Sequence, residues 1–106
     1  MISTQQPPYY AVIFTSLQTA NTEGYTEMAE QMEALAKAQS GFLGMVSARS
    51  HLGITVSYWA SLKAIAQWKA QADHQWAQQK GKKEWYAQYR VDICKVERSY
   101  QFDKNE

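Results

Sequence analysis

The chain has 106 residues, enough for one domain with a single core and too few for two. Its 11 basic and 10 acidic side chains leave a net charge of +1, which supplies no field to draw phosphate backbones or anionic lipid, so neither nucleic acid nor a membrane is an expected partner. No apolar run approaches the roughly 18 residues of a membrane span, the N-terminus has no signal-peptide pattern, and the lone Cys94 fits a reducing compartment, so a cytoplasmic location is expected.

Residues 1–8 end in Pro7-Pro8, which remove two backbone donors and favour extended chain, and they read as a flexible arm. Tyr9–Thr15 is rich in aromatic and β-branched residues and reads as a first strand. Tyr25, Met28, Ala29, Met32, Leu35 and Ala36 then recur at helical spacing, predicting an amphipathic helix over about residues 23–38, stopped by Ser40-Gly41. Phe42–Arg49 and Ile54–Trp59 form a predicted hairpin across the turn-prone Ser50–Gly53 link. At Ala60-Ser61 the period switches to helical, with Ser61 a plausible N-cap, and the second helix runs to about Gln79 before Gly81 breaks it. Lys82–Tyr89 reads as a short amphipathic turn and Val91–Phe102 as the last strand, followed by a charged, frayed tail over 103–106.

The order β-α-β-β-α-β predicts an α+β fold of ferredoxin-like topology over residues 9–102, with one antiparallel sheet and both helices on one face. Strands this apolar leave a second sheet face that needs cover. Homodimerisation through that face, closing a dimeric α+β barrel, is the expected remedy.

The chemistry-bearing residues concentrate in 54–86, which hold all four tryptophans and His74. An imidazole can take a proton from a phenol, which makes His74 the candidate base against the plainer reading of a solvated helix residue. Trp59, Trp68, Trp85 and Tyr86 either pack the core or line a pocket for an aromatic ligand. Because Tyr58 and Trp59 point to opposite faces, only one of them can look toward the helices. Arg98 could hold an anionic substrate or pair with a carboxylate. Lys80-Gly81-Lys82-Lys83 reads as a solvated helix break. No phosphate loop, nucleophile triad, dinucleotide fingerprint or metal-ligand spacing is present, so neither cofactor nor metal is expected.

Several blocks resemble the antibiotic biosynthesis monooxygenase domain family: Ser57-Tyr58-Trp59-x-Ser61, Ala64-Ile65-x-x-Trp68-Lys69, His74-x-x-Ala77-Gln78-x-x-Gly81, Trp85-Tyr86, and Val96-Glu97-Arg98-x-Tyr100. The resemblance covers about residues 9–102 and implies a dimeric α+β barrel. It implies a cofactor-independent monooxygenase acting on a phenolic small molecule, with Trp59 against the substrate. Where the quinone-forming members place an Asn, this chain has Thr55. Against the haem-degrading members, Trp68 matches the helix tryptophan, but Gln78 replaces the expected histidine and the first strand has no Asn. The alternatives are a non-catalytic or stress-related binding protein of the same fold, and a haem-binding relative.

Overall fold

The computed structural model describes residues 5–77 and 82–105. Its elements are β1 (Tyr9–Gln18), α1 (Tyr25–Lys37), β2 (Phe42–Arg49), β3 (Gly53–Trp59), α2 (Leu62–Ala77), α3 (Lys82–Trp85) and β4 (Tyr86–Val96). The strands form one antiparallel sheet in the order β2-β3-β1-β4, with α1 and α2 packed on one face. This is the α+β, ferredoxin-like arrangement that the switching periods predict. The helix break at Gly81 and residues 1–4 of the arm fall outside the described residues.

Residues directly opposite one another in an antiparallel pair share a face. Tyr10↔Trp59, Val12↔Ser57 and Phe14↔Thr55 therefore sit together under the helices, as do Val12↔Ile93 and Phe14↔Val91. The core builds on this face: Val12, Ala36, Trp59, Ala64 and Ile65 are buried against one another, with Tyr10, Phe42, Met45 and Trp68 packed around them. The intervening residues Ile13, Val46, Ile54, Val56 and Tyr58 point the other way, and Val46 and Ile54 are exposed there.

Local chemistry fixes how the helices dock. Ser61 caps α2, its Oγ accepting the Ala64 N–H at 3.0 Å, a bond of the kind worth about 1 kcal/mol. Gly41 follows α1 with φ 91°, and a Cβ there would meet the Ala64 Cβ at 2.8 Å. Both the left-handed backbone and the close approach of α2 thus require glycine at this turn. The Ala60 N–H closes the junction on the Gly41 carbonyl at 2.8 Å.

The last strand departs from the sequence reading at both ends. Tyr86–Tyr89, expected in a helical turn, belong to β4, and residues 97–102, expected in the strand, do not. The cause is the neighbour rather than the segment itself. β1 runs on to Gln18, where it pairs with Tyr86 after a register shift, and at its other end it starts at Tyr9, which pairs with Val96. Beyond Val96 the neighbouring chain is Pro7-Pro8, which has no N–H to offer.

Candidate functional site

Between the two long helices and the sheet lies a cavity of about 410 Å³, within the range of small-molecule sites. Val12, Phe14, Thr55 and Ser57 form its floor, and Met28, Met32, Ile65 and Trp68 come down from the helices. Met28, Met32 and Met45 on this wall give it side chains that adapt to a ligand's shape. Tyr89, Val91 and Ile93 of the edge strand β4 complete the lining and are exposed, so the cavity opens over that strand.

One end is aromatic. Tyr86 meets Phe14 edge-on at 5.6 Å and Tyr25 at 5.7 Å, and its hydroxyl donates to the Tyr25 oxygen at 3.4 Å. Burial foremost, then that hydrogen bond, raises the Tyr86 phenol well above its ordinary range, so it stays a neutral donor at physiological pH. Arg49 closes this end from β2, its guanidinium over the Tyr25 ring at 5.8 Å and donating to the Ser16 hydroxyl. It reaches Ser16 by lying across Gly53, where any Cβ would collide with the guanidinium.

The other end is built on indoles. Trp59 is fully buried, packed edge-on against Phe42 at 5.4 Å, and its Nε1 donates to the Ser57 Oγ at 2.9 Å. Trp68 lies between Trp59 and the cavity, its ring 5.2 Å from that of Trp59. The Trp68 Nε1 is buried and has no hydrogen-bond partner among the described residues.

Of the residues singled out from the sequence, Trp68 and Tyr86 are on the cavity wall. Trp59 stands behind Trp68, and Trp85 is buried behind Tyr25, its Nε1 donating to the Glu23 carbonyl at 2.7 Å. His74, in the last turn of α2, is exposed and is not part of the wall, whereas its neighbour Asp73 is. Arg98 is exposed in the segment after β4, also off the wall. Phe14, Tyr25, Ser57 and Asp73 were not among the candidate site residues; the Met28 and Met32 spacing and the Thr55, Ser57, Trp59 alternation were the signals that could have found this wall. Three carboxylates reach the wall from its exposed side: Asp73, paired with Lys69 at 2.9 Å, Glu33, paired with Lys37 at 3.7 Å, and Glu30. No histidine or cysteine among the described residues lines the cavity, so it offers haem iron neither an imidazole nor a thiolate.

The chain matches no protein-family model. It is 49% identical over 104 residues to the uncharacterized protein YqjZ of Bacillus subtilis, which covers 96% of this chain and 91% of YqjZ. The chain belongs to the YqjZ family. Solved structures extend the likeness at the level of fold. SnoaB, a cofactor-independent oxygenase from Streptomyces nogalater, superposes with a TM-score of 0.69 at 11% identity, covering 88% of this chain and 97% of SnoaB. A proposed antibiotic biosynthesis monooxygenase from Nitrosomonas europaea gives 0.67 at 16% identity, over 90% and 95% of the two chains. This YqjZ-family chain thus has the α+β fold of the antibiotic biosynthesis monooxygenase group, as its sequence blocks indicated.

Proposed function

We propose that the protein is a cofactor-independent monooxygenase acting on a phenolic aromatic molecule. The observation that carries this reading is the cavity itself: sized for a small ligand, apolar and aromatic on most sides, and lined by a few hydroxyl-bearing residues such as Thr55, Ser57 and Tyr86. In such a reaction the substrate supplies the electrons. Loss of its acidic proton gives an electron-rich anion that reacts with O₂; one oxygen atom becomes the new carbonyl, and the other leaves as water with the two hydrogens of the oxidised carbon. The protein then has to bind the ring, take a proton and stabilise a developing oxyanion.

For the proton, Asp73 is better placed than His74, being on the wall one residue away. Oxygen uptake with anthrone is the test. Asp73→Asn is expected to lower the rate by roughly 10²-fold, the lower end for loss of a general base, and His74→Gln by much less. The reverse ranking would return the role to His74. A second reading, a binding protein without turnover, is favoured by the ion pairs that already engage Asp73 and Glu33 at the rim. Anthrone bound without oxygen uptake would establish that reading instead. A haem-binding role finds no imidazole or thiolate among the described residues of the wall.

The same reading includes a homodimer joined through the sheet face opposite the helices, where Val46 and Ile54 are exposed. An exposed Cys94 thiol on β4 fits a reducing, cytoplasmic setting.

A further inference from the structure

We infer that the hydroxyl of Tyr25, ordered by that of Tyr86 and backed by the Arg49 guanidinium, holds a ligand oxygen that is an oxyanion or becomes one, a phenolate or enolate on a planar aromatic ring. This rests on the reading of the cavity as an aromatic-ligand site, and it adds which groups recognise the ligand and which way round it lies. Tyr25 and Tyr86 both line the cavity and are only half-buried, so a molecule inside it meets them. Their oxygens are 3.4 Å apart, wider than the roughly 2.7–2.8 Å of a good O–H···O bond, and at that separation one further oxygen can lie within bonding length of both. Tyr86 donates to Tyr25, whose own hydrogen has no acceptor among the described residues. A hydroxyl that accepts one such bond donates more strongly in the next.

The charge at this end suits an anion. Arg49 lies over the Tyr25 ring at 5.8 Å and has no carboxylate partner among the described residues. Besides burial, the groups that shift the Tyr86 phenol are Tyr25, Arg49 and Tyr89, so the full charge felt beside these oxygens is the guanidinium's. The wall carboxylates lie farther along. Glu30 and Glu33 are about 7.5 and 12 Å of helix rise from Tyr25, and Asp73 is close in sequence to Gln71, whose side chain bonds Gln39 beyond the opposite end of α1. A ligand oxygen at Tyr25 therefore meets a donor and a positive charge, and its ring system runs toward Met32 and Trp68. In anthrone the carbonyl oxygen and the acidic carbon are on opposite sides of the central ring. With the oxygen at Tyr25 that carbon is turned toward the carboxylates, and as its proton passes to one of them the electron pair moves to the oxygen at Tyr25.

The experiment binds 4-nitrophenol, and nitrobenzene as its counterpart without the hydroxyl, to the full-length protein and follows the yellow phenolate by absorbance as pH is varied. In the wild type the bound 4-nitrophenol should titrate about one pH unit below the free probe, which is a tenfold preference for phenolate over phenol, the scale of one charge-assisted hydrogen bond. Tyr25→Phe should remove most of that shift with nitrobenzene affinity retained. Tyr86→Phe, which keeps the ring and loses the hydroxyl that orders Tyr25, should reduce it in part. Arg49→Gln should reduce it too, and Arg49→Lys, which keeps the charge, should reduce it less; should Tyr25→Phe fail to fold, this pair decides by the same measure. A bound probe that titrates with the free one or above it, or a shift that survives these substitutions, overturns the assignment even if anthrone supports oxygen uptake. A Tyr25-dependent shift without any oxygen uptake upholds it while removing the monooxygenase reading. Failure of both probes to bind overturns the assignment together with the reading of the cavity.

Discussion

Burial, then the hydrogen bond to Tyr25 and the proximity of its phenol, push Tyr86 upward, Tyr89 adds to the rise, and the Arg49 guanidinium opposes it. The consequence for stability has a definite sign. Below about pH 10 the phenol is neutral both folded and unfolded, and Tyr86 contributes no pH dependence. Above that value the unfolded chain releases the proton while the folded one retains it, so stability falls as pH rises, by at most about 1.4 kcal/mol per pH unit. Denaturant unfolding between pH 9 and 11 is expected to show this decline, and Tyr86→Phe should reduce its slope. The individual roles on this wall were only partly legible in the sequence. A helix turns about 100° per residue, so adjacent positions can differ between wall and solvent, as Asp73 and His74 do. Alternation set Tyr58 and Trp59 on opposite faces without saying which one faced the helices, and it reports a face and not the layer within it. Trp68 fills the space between Trp59 and the cavity.

Among the elements, α1, β2, β3 and α2 were readable because each carries its own punctuation: Gly41 after α1, Ser61 before α2, and apolar spacing between them. β4 was misplaced because a strand's limits belong to its neighbour. Residues 97–102 keep the alternating pattern of a strand, and nothing in the described chain pairs with their backbone. Tyr100 and Phe102 are accordingly 85% and 88% exposed. Truncation after Glu97 is expected to leave the far-ultraviolet circular dichroism of the folded protein unchanged, since no ladder hydrogen bond is removed. A loss of strand signal in that variant would mean that the segment is paired in solution.

At the scale of the molecule, the topology and the one-sided packing of helices followed from periodicity alone, while the cavity did not, because a void is set by how side chains from different elements fail to fill a space. The sheet's two faces have different neighbours: the helices and the cavity on one, and exposed Val46 and Ile54 on the other. Light scattering at micromolar concentration is expected to give twice the chain mass, and Ile54→Lys, which sets a charge in the proposed contact, should return the mass of one chain. In the proposed dimer, whose contact is on the opposite face of the sheet, the wall and the mouth over β4 would both come from one subunit. Occupancy should then obey no mass action in protein: binding curves recorded far above and far below the dimer midpoint should superpose, and each subunit should fill without regard to whether it has a partner.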